Sequence, residues 1–175
     1  MNATRIGVDK WAITSRIFHW GSLIFLITTW ALFVTYENSE SDAYLNLHKA
    51  FGLSMLFWTS GRIINRLLTK TPPNLIMPKW QVALSHLVHA ALYILLLAMP
   101  IAGLLMTVYG GHSVSFFGLF EIPVFVTPDR PTARFFNNLH TGVIWSSIIA
   151  LSAFHILAAL YHQFIKKDKL INRML

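Results

Sequence analysis

Long apolar stretches separated by three links dominate the pattern of the 175-residue chain. Four stretches are long enough to cross a bilayer, which takes about 20 mostly apolar residues. They cover residues 14–36, 45–68, 80–109 and 135–165. The second is the least apolar, because Lys49 and Arg62 lie near its ends, where we expect their side chains to snorkel to the membrane interfaces. The pattern predicts an all-α fold, a transmembrane four-helix bundle that forms a single domain over residues 1–175.

The three links differ in character. Residues 37–42 are short and acidic, and residues 69–79 are basic and contain three prolines, which is typical of an irregular turn. Residues 110–134 form the longest link. It contains GGHSVSFFGLFEIP, which is too apolar for a solvated loop. We therefore expect this link to lie along the membrane surface.

Basic residues are concentrated on one side of the predicted membrane, although only 12% of the chain is charged. Eleven of the 14 basic residues flank the spans on the side of the two termini and the second link: Arg5, Lys10, Arg16, Arg62, Arg66, Lys70, Lys79, Lys166, Lys167, Lys169 and Arg173. Cytoplasmic loops of membrane proteins carry this excess. We therefore expect both termini in the cytoplasm. The net charge of +7 needs no nucleic-acid partner.

Histidine is the residue type that points to chemistry. The chain has no cysteine, which excludes disulfides, thiolate zinc sites, iron–sulfur clusters and cysteine catalysis. Ionisable residues inside membrane spans are rare and usually functional. Seven of the eight histidines lie in the predicted spans: His19, His48, His86, His89, His140, His155 and His162. A single one is equally well explained as a hydrogen-bonded contact between helices, but seven in one small bundle are not.

Depth in the membrane sorts four of these histidines into two pairs. His19 and His155 lie near the cytoplasmic side, and His48 and His140 lie near the outer side. The 15 residues between His140 and His155 span about 22 Å of helix and turn by about 60°, so both side chains can face the bundle interior. A flat tetrapyrrole with one imidazole on each face fits such pairs. Zinc is the rival metal, although it prefers tetrahedral sites with clustered ligands.

Small residues follow three of these histidines along the chain. They are Gly21, Gly52 and Gly142. Glycines at these positions would leave room for a cofactor beside the imidazoles. Close packing between helices explains each of them equally well.

Several motifs resemble one known family over nearly the whole chain. They are FHW at 18–20, LHKAFG at 47–52, GRIINRLL at 61–68, HAALYILLLAMPIAG at 89–103, SVSFFGLFEIP at 113–123 and the terminal YHQFIKKDKLINRML. The chain resembles the bacterial cytochrome b561 family of small four-helix di-haem cytochromes in the inner membrane. The resemblance implies two haem b groups, with iron ligated axially by His19 and His155 in one and by His48 and His140 in the other.

The resemblance also implies a function. With both axial positions filled there is no open iron site and no catalytic side chain, which favours outer-sphere electron transfer. Ubiquinone or menaquinone is the implied redox substrate, and His162, Lys167 and His89 are candidate quinone contacts. Some family members oxidise periplasmic superoxide and pass the electron to ubiquinone. Superoxide:ubiquinone oxidoreductase is therefore the predicted enzyme activity.

Three basic residues on the outer side fit an anionic donor. Lys49, Arg130 and Arg134 would attract superoxide, or else neutralise haem propionates. One alternative function is a cytochrome b subunit that anchors a periplasmic dehydrogenase or hydrogenase. Another is a transporter without haem that uses its histidines for protons or metal.

One spacing departs from the family pattern. Family members carry the two ligands of the fourth helix 14 residues apart, whereas His140 and His155 are 15 apart. One extra residue rotates a helix by about 100°. We therefore predict an i→i+5 turn or local unwinding between Ser146 and Leu151, which would restore the orientation of both ligands.

Overall fold

Long helices make up most of the protein. The computed structural model describes residues 10–73 and 75–175, so Arg5 of the charge count lies outside the described residues. Three helices come first: α1 (Ile13–Ser39), α2 (Asp42–Leu68) and α3 (Lys79–Tyr109). The fourth is continuous but not uniform: α4 (Arg130–Asn138), a π-helical segment (Leu139–Ile144), α5 (Trp145–Leu160) and a second π-helical segment (Tyr161–Lys166). A short 3-10 turn, Ile171–Arg173, follows.

Three helices in the described part of the chain are long and apolar enough to cross a membrane. They are Ile13–Ser39, Lys79–Tyr109 and the composite helix Arg130–Lys166. Their apolar side chains point outward: Ile24, Ile94 and Leu157 are each about two thirds exposed, which lipid chains would cover. The α2 helix has the same length as α1 but carries more charge. The mostly helical fold is therefore confirmed, and α2 is a fourth helix whose crossing of the membrane stays a prediction.

Glycine lets α1 and α2 approach each other closely. A Cβ atom added to Gly21 would lie 2.3 Å from the ring of Trp58. The indole of Trp58 donates a hydrogen bond of 3.1 Å to the carbonyl of Phe18. Gly21 thus serves helix packing, one of the two roles that its position allows. Ala102, Ile144 and Ile148 form a separate buried core between α3 and the fourth helix.

Asp129 sets the start of the fourth helix. Its carboxylate accepts a hydrogen bond of 3.0 Å from the backbone N–H of Thr132, as an N-cap residue does. The side-chain and backbone hydrogen bonds of Thr132 hold the pKa of Asp129 below its ordinary value. The cap fixes where the helix that carries His140 and His155 begins.

A small β-hairpin interrupts the long link, and the sequence did not predict it. Strands β1 (Val114–Phe116) and β2 (Phe120–Ile122) pair antiparallel with Phe116 opposite Phe120. Phe117 and Gly118 turn the chain with positive φ angles. The hairpin packs on α2, because the ring of Phe117 lies 5.3 Å from that of Phe51. A three-residue turn that contains glycine was the available signal.

The predicted i→i+5 turn is present but in another place. The segment Ser146–Leu151 is regular α-helix within α5, so the predicted location is wrong. The π-helical segment lies at Leu139–Ile144 and includes His140 itself. A π segment holds one more residue than the α-helix it replaces. The additional residue is therefore accommodated next to His140 rather than halfway between the two histidines.

Candidate functional site

We call His48 and His140 the outer pair after the side predicted for them, and they lie on α2 and in the π-helical segment of the fourth helix. The ring centroids of His48 and His140 are 6.1 Å apart, and the rings are nearly perpendicular at 86°. Nδ1 of His48 is 2.9 Å from the carbonyl oxygen of Thr29, and Nδ1 of His140 is 2.8 Å from that of Met99. Because a carbonyl can only accept, both Nδ1 atoms carry the proton and donate. The Nε2 atoms of both rings are then free to bind a metal.

His19 and His155, called the inner pair by the same prediction, lie on α1 and α5. The ring centroids of His19 and His155 are also 6.1 Å apart, with 60° between the planes. His89 from α3 is close by, with its ring centroid 5.2 Å from that of His155 and its Nδ1 3.4 Å from the hydroxyl of Ser85. Three imidazoles from three helices therefore meet in the inner half. His86 is exposed on α3.

Arg62 turns into the bundle beside the inner pair. One guanidinium nitrogen donates to Nδ1 of His19 over 2.9 Å, and another donates to the hydroxyl of Ser22 over 3.1 Å. Its guanidinium carbon lies 5.0 Å from the ring centroid of Tyr93, a cation–π distance. The expectation that Arg62 snorkels to the interface is wrong, because polar groups on α1 and an aromatic ring on α3 offer it partners inside.

The distance between the paired rings fits one metal ion held between two imidazoles. A metal–imidazole bond is about 2 Å long and the ring centroid lies roughly 1 Å behind the nitrogen, so two such bonds in line separate the centroids by about 6 Å. Within residues 10–73 and 75–175 there is no cluster of three or more His, Asp or Glu arranged to hold a metal. Two imidazoles on opposite faces of a planar cofactor need no further protein ligand.

The glycines near His48 and His140 differ in their surroundings, and Gly142 is exposed at the surface. A Cβ atom built on Gly52 or on Gly142 would meet no atom of the described residues within 4 Å. Gly103 differs, because a Cβ there would lie 3.0 Å from the ring of His140. Gly103 lets the imidazole of His140 lie against α3, and the 6.1 Å between the rings of His48 and His140 is the observation that fits a flat cofactor.

His162 lies at the inner end of the fourth helix in contact with the C-terminal segment. Its Nδ1 lies 2.5 Å from a carboxylate oxygen of Asp168, and both side chains are largely covered. In the neutral ring the proton sits on Nδ1, which leaves Nε2 as an acceptor. Lys167 is exposed. Its backbone adopts the left-handed conformation that ends the helix.

The three basic residues of the outer side differ in exposure. Arg130 and Arg134 are exposed in the first turns of α4, and Lys49 is half-buried on α2 next to His48. They belong to two helices that both carry a histidine of the outer pair.

Sequence reasoning missed the groups that surround the histidines. Arg62 had a signal, namely a permanent charge six residues inside the end of a predicted span. Asp168 had a signal as well, because it stands six residues after His162. If the chain turns back after the helix, the carboxylate can reach the imidazole. The carbonyls of Thr29 and Met99 had none, because any residue type supplies a carbonyl.

Comparisons with known proteins assign the chain to a family over nearly its whole length. The family model for prokaryotic cytochrome b561 matches residues 10–175. The chain is 31% identical to cytochrome b561 homolog 2 of Escherichia coli K12 over 95% of this chain and 92% of that protein. It is 30% identical to cytochrome b561 homolog 1 of the same organism, covering 96% of this chain and 98% of the other.

A third relative carries a name that specifies an activity. It is a protein of Yersinia pestis named probable superoxide oxidase, 29% identical over 90% of each chain.

The molecule is thus a helical membrane protein with paired histidines in its interior. The chain belongs to the prokaryotic cytochrome b561 family. Family membership implies haem b and electron transfer at a bacterial membrane, which confirms the resemblance found in the sequence.

Proposed function

We propose that the protein is a di-haem oxidoreductase of the bacterial inner membrane that passes electrons from periplasmic superoxide to the quinone pool. The observation that carries the proposal is the pair of 6.1 Å histidine contacts, each between two helices. His48 and His140 hold the outer haem b, and His19 and His155 hold the inner one. All four spans cross the membrane, with both termini in the cytoplasm.

The surroundings of the histidines define what the chain does for each cofactor. A haem iron ligated on both faces gains and loses single electrons without an open coordination position. The carbonyls of Thr29 and Met99 fix the tautomer and the orientation of the outer imidazoles, as outer-shell acceptors do for metal ligands. Fixed ligands reduce the rearrangement that a change of charge would otherwise cause. The chain thereby supports electron transfer and discourages binding of oxygen.

Superoxide as donor is supported by the outer charges and by the name of one relative. The outer side carries Lys49, Arg130 and Arg134 close to the histidine-bearing segments. A positive surface raises the local concentration of an anion. The relative from Yersinia pestis is a probable superoxide oxidase, and the same activity is proposed here.

Quinone, either ubiquinone or menaquinone, is proposed to bind at the inner end beside His162. Asp168 keeps a proton on Nδ1, so Nε2 accepts the proton of a quinol hydroxyl, or donates one to a quinone when the ring carries both protons. Lys167 and His89 are the remaining candidate contacts, and His89 lies next to His155.

One experiment tests these proposals together. The purified full-length protein in lipid nanodiscs should contain two haem b groups per chain and should reduce a soluble ubiquinone analogue when superoxide is supplied by stopped flow. If the protein contains two haems but does not oxidise superoxide, the proposal that superoxide is the donor is wrong. Colourless protein would overturn the haem sites and favour the transporter.

A membrane anchor for a periplasmic dehydrogenase or hydrogenase is the second candidate. The hairpin favours it, since its turn exposes apolar surface on the outer side: Leu119 is 78% exposed. A partner protein would bury such residues. Co-purification of a redox enzyme that supplies electrons faster than superoxide does would decide for this function.

A further inference from the structure

Arg62 is a permanent cation inside the bundle that has only neutral partners. Its contacts are the hydroxyl of Ser22, Nδ1 of His19 and the ring of Tyr93. Within residues 10–73 and 75–175 its guanidinium forms no ion pair with a carboxylate. A charge in a membrane span is costly unless it is paired. The described chain therefore supplies hydrogen bonds to Arg62 but no counter-ion.

The contact with His19 is one that metal ligation would break. A metal-binding histidine normally donates its other ring proton to an acceptor, as His48 and His140 do to carbonyls. Arg62 has no acceptor atom. When Nε2 of a neutral His19 binds a metal, Nδ1 carries the proton and can no longer accept from the guanidinium, which is then released toward another acceptor within reach.

We propose that Arg62 binds a carboxylate of the haem held by the inner pair, and that its charge raises the reduction potential of that haem. The inference rests on the proposed haem sites. Arginine pairs with carboxylates through two parallel hydrogen bonds, and it stays charged at every relevant pH. A fixed positive charge close to a redox group favours its reduced form. The outer imidazoles have no such cation as a hydrogen-bond partner.

The test compares three variants in the full-length protein: Arg62→Gln, Arg62→Lys and Arg66→Gln. Arg66 is the matched control, since it stands one turn further along the same helix with its guanidinium over the ring of Trp11 at 4.6 Å. The midpoint potential of each haem is measured by spectroelectrochemistry. The inner midpoint is assigned in a His48→Ala background, from which the outer haem is expected to be absent.

We expect Arg62→Gln to lower the inner midpoint so that the oxidised-to-reduced ratio at a fixed potential rises at least about tenfold, or about 59 mV for one electron. The outer midpoint should not move, and Arg66→Gln should leave both unchanged. Two bound haems with wild-type midpoints in Arg62→Gln would overturn the proposal. A wild-type protein without haem would overturn the haem sites themselves.

Loss of the inner haem from Arg62→Gln is resolved by the lysine variant. Retention of the haem in Arg62→Lys would support a role for the charge, and its loss there as well would refute that role. The carboxylate is tested by reconstituting the full chain with the dimethyl ester of haem. Wild type and Arg62→Gln should then retain the inner cofactor equally. If Arg62→Gln weakens retention of the ester as much as that of haem, the carboxylate contact is wrong.

Discussion

A histidine that binds a metal through one ring nitrogen depends on what the other nitrogen contacts. For His48 the other contact is the carbonyl of Thr29, and for His140 it is the carbonyl of Met99. Each imidazole is therefore oriented by a helix other than its own. The two carbonyls lie on different helices. Removing one histidine therefore leaves in place the hydrogen bond that orients the other.

Replacing His48 by Ala should remove the outer haem and leave the inner one, because one imidazole does not hold a haem that needs two. The haem content per chain, measured as the pyridine haemochrome, should fall from two to one. His86→Ala is the matched control, since His86 is an exposed histidine on α3, and it should keep two. Two haems in His48→Ala, in the absence of added imidazole, would contradict the pairing.

Replacing Asp168 by Asn should slow quinone reduction about tenfold or more, since positioned proton transfer commonly contributes at least a hundredfold. The carboxylate that keeps the proton on Nδ1 of His162 would be lost, while the haem content stays at two. Steady-state reduction of a ubiquinone analogue measures the effect, and Glu37→Gln controls for the loss of a carboxylate elsewhere. If Asp168→Asn and His162→Ala both reduced quinone at the wild-type rate, the proposal that quinone binds beside His162 would be wrong.

Elements differ in how well the sequence predicts them. The helices were predictable within a few residues, because apolar length alone defines a span. The hairpin was not, since strands of three residues carry too little pattern. The π segment was predicted from the spacing of His140 and His155, but its position depends on where a freed carbonyl finds a partner, and sequence does not reveal that.

The position of the π segment makes a testable difference between two deletions. Deleting Val143, an exposed residue inside Leu139–Ile144, should convert the π segment into α-helix and keep both haems. Deleting Ile149, an equally peripheral residue within α5, should rotate His155 by about 100° and release the inner haem.

Haem content and reduced spectra of the two deletion variants measure the outcome. If the Ile149 deletion kept two haems and the Val143 deletion lost one, the additional residue would be accommodated in the middle of α5 and not at Leu139–Ile144.

At the scale of the whole molecule, the site residues come from four helices, which explains why sequence predicted the pairs but not their surroundings. Depth along each helix is readable from residue number, and so the pairs were predictable. Arg62 reaches groups on α1 and α3 because of how α2 is rotated about its axis. Rotation is decided by packing, such as Gly21 against Trp58.

Charge on the outer face should control encounter with an anionic donor. Replacing Lys49, Arg130 and Arg134 together by Gln should lower the second-order rate with superoxide about tenfold at low salt, with a smaller effect at high salt because the charges are screened. Stopped-flow traces over a range of ionic strength measure this.

The matched control replaces three basic residues on the other side, Lys70, Lys79 and Lys169, by Gln. An unchanged rate in the outer variant, with both haems bound, would limit its three residues to contacts with haem propionates.

The two ends of the bundle also differ in how readily they can evolve. The carbonyls that hold His48 and His140 belong to the main chain, so no single side-chain replacement at Thr29 or Met99 deletes them. His19 instead contacts the side chain of Arg62, which one codon change removes. A single point mutation can therefore remove the charge beside His19, whereas the hydrogen bonds that orient His48 and His140 persist as long as the helices keep their positions.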